Sequence, residues 1–343
     1  MRVLLTGAAG FIGSRVGAPL RAQGHEVVGV DALVGAAHGP GAVLPDGVHR
    51  ADVRDPDALA PLLRGVDVVC HQAAMVGAGV DAADAPAYGT HNDYATTVLL
   101  AQMYEAGVTR LVLASSMVVY GQGRYRCREH GSVDPLPRRR EDLDAGVFEH
   151  RCPLCSEQVH WALVTEDAPL RPRSLYAAGK TAQEHYALAW CDAVGGSVTA
   201  LRYHNVYGPG MPRDTPYSGV AAIFRSAIEN NRVPEVFEDG GQMRDFVHVD
   251  DVAAANLASV HAERGGFTAL NVCSGQPISI LEVARSVSDA RGGPAPQLTG
   301  GYRSGDVRHI VAHPALAADV LGFTAAVHPA DGLREFAFAP LRA

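Results

Sequence analysis

"RVLLTGAAGFIGSRVGAPLRAQGHEVVGVD", residues 2–31, decides the fold of this chain of 343 residues. "RVLLT" is a short apolar strand that ends in the glycine-rich turn Gly7-Ala8-Ala9-Gly10-Phe11-Ile12-Gly13; a helical stretch follows through Gln23, and "EVVGVD" makes a second strand. The glycines stand where a backbone must turn sharply, approach a pyrophosphate and let a helix pack on a strand. Such a turn alone is a weak signal. Here it follows a strand, opens a helix and is answered by Asp31 at the end of the second strand, where a carboxylate can bind both ribose hydroxyls and repel a 2′-phosphate. The pattern predicts a dinucleotide site that favours NAD over NADP.

The alternation continues with "GVHRADV", a helix over "DPDALAPLLRG", the strand "VDVVCHQ", a long helical stretch around residues 87–106 and the strand "RLVLASS". Alternating strands and helices of this kind predict an α/β fold, a Rossmann-type doubly wound parallel sheet. From Gly121 to about Pro172 the pattern gives way to a polar insertion with two cysteine clusters. A helix is expected from near Ser174, then a strand "SVTALRYHNVYG". The segments "VFEDGGQMRDFVHVDD", "ALNVCSG", "SILEVARSVSDA" and "YRSGDVRH" suit a smaller C-terminal lobe. The expected organisation is a cofactor-binding domain over 1–203, with the insertion at 122–170, and a substrate-binding lobe over 204–343, some of whose segments return to the first domain.

A hydrophobic fraction of 47% can fill a core of this size, and a net charge of −8 offers no basic field for nucleic acid or an acidic membrane. No stretch approaches the roughly 20 apolar residues of a membrane span, and the N-terminus has no cleavage site, so the chain is expected to be cytoplasmic. Of the six cysteines, Cys70, Cys191 and Cys273 fall in apolar runs and read as small buried hydrophobes. The others read with a histidine as Cys127-x2-His130…Cys152-x2-Cys155, a zinc-ribbon-like spacing that can enclose a tetrahedral Zn²⁺, with His150 or His160 as alternatives to His130. Four protein ligands leave no open position, so such a metal is a structural staple. Arg138, Arg139 and Arg140 read as a solvated face.

"YAAGK" places Tyr176 and Lys180 four residues apart on one helical face. An ammonium near a phenol favours the phenolate that a general base needs. Ser116, near the carboxyl end of a parallel strand, faces the same crevice and can hydrogen-bond the substrate oxygen that Tyr176 deprotonates. With "TGAAGFIG", "HQAA", "SSMVVYG", "YAAGK", "LRYHNVYGP", "RDFVHVDD" and "YRSGDVRH" together, the chain resembles the extended short-chain dehydrogenase/reductase family, specifically its nucleotide-sugar epimerases and dehydratases.

The resemblance implies Ser116, Tyr176 and Lys180 as the catalytic set and Asn92 as support of the cofactor site. It further implies cofactor contacts from Gly7, Gly10, Phe11, Ile12, Gly13, Asp31, Asp52, Val53, Ala73 and Ala74, with Asp52 either on the adenine amine or capping a turn. Asn205, Arg244 and Arg303 would hold the diphosphate of a nucleotide sugar. Met117 and Val118 stand where the dehydratases carry Asp-Glu, which disfavours dehydration. The insertion, with "YSGVAAIF" and "YRSGDVRH", resembles a subgroup of 4-epimerases that interconvert dTDP-L-rhamnose and dTDP-6-deoxy-L-talose through a 4-keto sugar. UDP-hexose or UDP-glucuronate epimerisation is the alternative, and a non-catalytic NAD(H) sensor or a zinc-ribbon interaction module are readings of other classes. The family also implies a homodimer through the helices near 87–106 and 174–194. His204, where an aromatic is usual, and Gly179, where serine is common, depart from the pattern.

Overall fold

The computed structural model describes residues 1–39, 41–77, 82–213, 219–303 and 305–342. Tyr217 and Ser218 of "YSGVAAIF" and Ser304 of "YRSGDVRH" lie outside the described residues. Seven strands, β1 (Arg2–Thr6), β2 (Glu26–Asp31), β3 (Val48–Arg50), β4 (Val68–His71), β5 (Arg110–Ser116), β6 (Ser197–Tyr203) and β7 (Gly266–Val272), form one sheet in the order β7-β6-β5-β4-β1-β2-β3. Every neighbouring pair is parallel. The order reverses between β1 and β4, and the crevice outside their carboxyl ends is where such sheets bind ligands.

Val3, Leu4 and Leu5 are all buried because helices cover both faces of the sheet, which is why the strands read as unbroken apolar runs. On one face Val3 and Leu5 join Val16 and Leu20 of helix α1 (Phe11–Ala22) and Val252 and Ala255 of a later helix, Val249–His261. On the other, Leu4 and Val69 meet Leu99 and Met103 of α2 (Ala95–Glu105) and Ala187 and Cys191 of α3 (Leu175–Val194). Among the described residues no helix is long and apolar enough to cross a membrane.

Four expectations need adjustment. The helix over residues 55–65 stops at Leu59, because Pro61 has no N–H for the next turn; Asp55 still caps it by accepting from Asp57 and Ala58. The long helix before β5 is interrupted by a π-helical segment, Gly89–Tyr94, that carries Asn92. "SVTALRYHNVYG" is two strands, not one: after His204 donates its N–H to Val272 O (3.0 Å), Asn205–Tyr207 leaves the sheet and pairs with Met243–His248. "ALNVCSG" belongs to the large sheet, with Leu270 and Val272 on β7. The smaller lobe is built on Asn205–Tyr207, Met243–His248 and Pro277–Ser279 around a core of Tyr207, Phe224, Phe246, Val283 and Phe336. The insertion forms a three-stranded antiparallel sheet, Gly131–Val133, Arg124–Cys127 and His160–Ala162, over a small core of Tyr125, Cys127, Cys152 and Val159.

Candidate active site

Ser174 starts α3 by accepting from the Ala177 N–H (3.1 Å), which sets Tyr176 and Lys180 on the helix face toward β5. Ser116 is the last residue of β5; its hydroxyl accepts from the Val118 N–H (3.4 Å) and lies close enough to the Tyr176 phenol to lower its pKa. Lys180 is 3% exposed, donates to Ala114 O at 2.7 Å and lies 5.9 Å from the Tyr176 ring centroid. Burial pushes the Tyr176 phenol up to about 12, with the nearby Ser116 hydroxyl acting the other way, and pushes Lys180 down to about 7 against Glu184 and Asp93. The protein's own groups therefore leave the phenol protonated at neutral pH; further positive charge beside it is needed to make it a base.

Behind these residues lies a buried network that the sequence reading missed. Glu184, one turn after Lys180, is hydrogen-bonded by Ser115 and forms a two-point ion pair with Arg202 of β6 (3.0 and 2.7 Å). Arg202 also donates to the Tyr120 hydroxyl (2.9 Å), which donates to Asn271 Oδ1 (2.7 Å). An arginine inside an apolar strand and a glutamate four residues after a buried lysine were the available signals. Gly179 leaves room for Asp93, whose Oδ1 a Cβ there would meet at 3.0 Å. His204 is buried and its imidazole is pushed down to about 3, so it stays neutral and occupies the aromatic position as an uncharged ring.

The predicted cofactor residues converge at the crevice. Gly7 has φ +67°, and a Cβ on it would lie 2.8 Å from the Ala73 nitrogen; a Cβ on Gly13 would lie 2.0 Å from Gly7 O. Gly10 donates to Gly7 O (3.0 Å) and leads into α1, where Phe11 and Ile12 form a first turn without acidic residues or a side-chain cap. Asp31 accepts from Ala9 N–H (3.0 Å), Leu33 N–H (2.9 Å) and His38 Nε2 (3.1 Å); burial would raise its carboxyl, but these partners hold it below the usual range. Val53 is buried, and Ala73, followed by Ala74, donates its N–H to the Thr6 hydroxyl (3.1 Å). Asp52 is gripped by the Arg54 guanidinium (2.6 Å) and its N–H (2.9 Å), which favours the turn-capping reading. Asn92 touches the loop after β4, accepting from Met75 N–H (2.8 Å) and donating to Met75 O (2.9 Å), a supporting position. The sequence reading missed Arg342, which donates to Ala9 O (2.8 Å) and Ala37 O (3.2 Å) across the glycine turn. A cradle that any Cβ would fill, an uncapped helix start and a carboxylate at the end of β2 fit a dinucleotide.

Asn205 and Arg244 lie on neighbouring strands of the smaller lobe, through the pairing of Asn205 with Phe246. Asn205 Oδ1 is buried and lacks a partner among the described residues. Arg244 donates to Met243 O (2.9 Å), Arg308 O (2.9 Å) and Val307 O (2.5 Å), which leaves two of its five N–H groups for another partner. Arg303 is exposed and lies over the Phe237 ring at 5.3 Å.

In the insertion, the ligand atoms of Cys127, His130, Cys152 and Cys155 all lie within 4.8 Å of one another. His130 Nδ1 is 3.6 Å from both the Cys127 and Cys152 sulfurs, and the Cys127 and Cys155 sulfurs are 3.6 Å apart. A tetrahedral Zn²⁺ at the usual bond lengths has edges of about 3.5–3.8 Å. His150 is turned away, toward Leu136 O (3.1 Å) and Gln122 Oε1 (3.2 Å), and His160 is outside the cluster, so His130 is its fourth member. The arginine triplet does not form a single solvated face: Arg139 and Arg140 are exposed, but the Arg138 side chain is buried against Glu238 (2.7 Å).

A Rossmann-type sheet with a Tyr-Lys pair and a serine at its carboxyl edge, beside the dinucleotide crevice, defines an NAD-dependent short-chain dehydrogenase/reductase enzyme. The sequence pattern of the NAD dependent epimerase/dehydratase family matches residues 3–141 and 158–273, and the chain belongs to that family. It is 35% identical over 318 residues to the dTDP-L-rhamnose 4-epimerase of Burkholderia thailandensis, covering 90% of this chain and 86% of the relative. It is 32% identical over 340 residues to the UDP-glucose 4-epimerase of Mycolicibacterium smegmatis, covering 97% and 96%. Among solved structures, MoeE5 in complex with UDP-glucuronic acid and NAD aligns with a TM-score of 0.77 at 32% identity, covering 98% of both chains.

Proposed function

We propose that this enzyme is an NAD-dependent nucleotide-sugar 4-epimerase acting on dTDP-L-rhamnose and dTDP-6-deoxy-L-talose. The observation that carries the reaction type is that Tyr176 lies beside Ser116 and is backed by Lys180, while the residues after Ser116 are Met117 and Val118, which cannot move the second proton that dehydration requires. NAD, when bound, supplies reversible hydride chemistry at the sugar carbon. Gly7, Gly10 and Gly13, the first turn of α1 and Asp31 would hold it. Tyr176 takes the proton from the sugar O4 and later returns it, while Ser116 hydrogen-bonds the same oxygen and Lys180 favours the phenolate. Asn205, Arg244 and Arg303 hold the diphosphate, so the 4-keto sugar can turn about its link and present its other face. The sugar assignment draws on the 35% identical relative and on the cysteine insertion; UDP-glucose or UDP-glucuronate is the second reading, favoured by the other relatives and by MoeE5.

Cys127, His130, Cys152 and Cys155 hold a Zn²⁺ that orders the insertion and takes no part in the chemistry. The enzyme works as a homodimer through α2 and α3, whose outer faces expose Tyr104 (65%), Tyr186 (48%) and Leu188 (40%). The test is incubation of the purified protein with dTDP-L-rhamnose, UDP-glucose and UDP-glucuronate, products followed by NMR. Conversion of the first supports the full reading; conversion of a UDP sugar alone keeps the reaction and replaces the substrate. Tyr176→Phe should abolish turnover and leave nucleotide affinity intact, and full activity in that variant refutes the mechanism.

A further inference from the structure

The insertion does more than close on its own cysteines. Arg308, 1% exposed, lies between three carboxylates: Glu149 (2.6 Å) from the insertion, and Glu238 (2.8 Å) and Asp239 (2.8 Å) from the smaller lobe. Arg138, also from the insertion, pairs with Glu238 (2.7 Å) and donates to Asp306 O (2.9 Å). His309 Nε2 meets the other oxygen of Glu149 at 2.8 Å. The Met243 N–H donates to His309 Nδ1 (3.0 Å), so that nitrogen is unprotonated and Nε2 carries the hydrogen given to Glu149. The Tyr125 hydroxyl, on the strand that ends at Cys127, accepts from the His309 N–H (3.2 Å).

The residues held in this way are the ones that Arg244 leans on. Its guanidinium donates to the carbonyls of Val307 and Arg308, and Ile310 donates its N–H to Met243 O (3.1 Å). The family's sequence pattern matches this chain up to residue 141 and again from 158, so Glu149 lies in a stretch that the pattern does not cover. From this geometry we infer that Glu149 is a positioning residue for the nucleotide-sugar site: by fixing Arg308 and His309 it sets the carbonyls that aim the Arg244 guanidinium at the diphosphate. The inference rests on the reading of Arg244 as a diphosphate ligand. Without the Glu149 charge, Arg308 keeps Glu238 and Asp239 and the segment keeps Arg138 and Tyr125, but Arg308 and His309 lose their direct ion pair to the insertion, so the Val307 and Arg308 carbonyls are held less firmly while the sheet and the dinucleotide crevice stay as they are.

The test is Glu149→Gln in the full chain, which preserves shape and removes the charge. Affinity for dTDP and for UDP is measured by calorimetry, KM and kcat with the sugar substrate, bound NAD by absorbance after denaturation, and Tm by scanning fluorimetry. The expected result is a rise of about tenfold in the nucleotide Kd and in KM, equivalent to ~1.4 kcal/mol, with kcat at saturation and NAD content unchanged. Arg138→Gln, which acts on the same segment through Glu238 and Asp306 O, should reproduce the split and serves if Glu149→Gln does not fold. Nucleotide affinity equal to wild type overturns the inference, as does a parallel loss of nucleotide, NAD and Tm, which marks a merely structural role. A wild-type protein that binds NAD but neither nucleotide refutes the functional reading itself.

Discussion

Replacing Lys180 by methionine separates the two effects of burying a lysine beside Tyr176. Two unit charges at the 5.9 Å that separates Lys180 Nζ from the Tyr176 ring interact by about 3 kcal/mol at an effective dielectric of ~20, or about two pKa units. The phenol is already pushed up to about 12, and the proposed mechanism uses its deprotonated form. Lys180→Met should therefore lower kcat about 100-fold at pH 6, where Lys180 carries its charge, and the loss should shrink above pH 7 as the wild-type lysine gives up its proton. The stability effect has the opposite sign. Burial lowers the folded-state pKa of Lys180 from 10.5 to about 7, so the cost of burying its charge is full below pH 7 and fades between 7 and 10.5. The variant should gain Tm over wild type at pH 6, and the gain should shrink toward pH 10, offset by about 1 kcal/mol for the lost hydrogen bond to Ala114. Steady-state kinetics from pH 6 to 10 and melting curves over the same range give the readout. A kcat within threefold of wild type at pH 6 refutes the electrostatic role, and a lower Tm at pH 6 refutes the stability argument.

Gly13→Ala places a methyl 2.0 Å from Gly7 O, so helix and turn must part by more than an ångström; about 1–3 kcal/mol of stability and most NAD binding should be lost, as read by denaturant melts and NAD titration. Arg342→Ala removes the guanidinium that spans Ala9 O and Ala37 O beside Asp31, and NAD retained through purification should fall while kcat at saturating NAD holds. On the proposed zinc site, Cys152→Ser should leave far less zinc bound than wild type, measured by plasma mass spectrometry, and make residues 122–170 sensitive to protease, since the cluster closes a segment with a very small core.

How much of this was readable from sequence depends on whether the controlling interaction is local. The apolar runs of β1, β2, β4 and β5, the Gly7–Gly13 turn and the Tyr176–Lys180 spacing are set by neighbours within a few residues, and the structure contains each of them. Pro61 was equally local and should have stopped the predicted helix at residue 59. What could not be read are the pairings between distant segments: Arg202 with Glu184, Arg342 with Ala9, and Arg138 and Glu149 with residues 238 and 306–309. Arg138 is the clearest case. Three consecutive arginines in a polar insertion read as solvated, because no local pattern reveals that Glu238, a hundred residues on, takes one of them out of water. Buried charges cost several kcal/mol unless they are paired, so the ion pairs that hold the insertion on the smaller lobe specify one docked arrangement and disfavour the rest. That selectivity is what a site needs if it must grip a diphosphate firmly and leave the sugar free to turn.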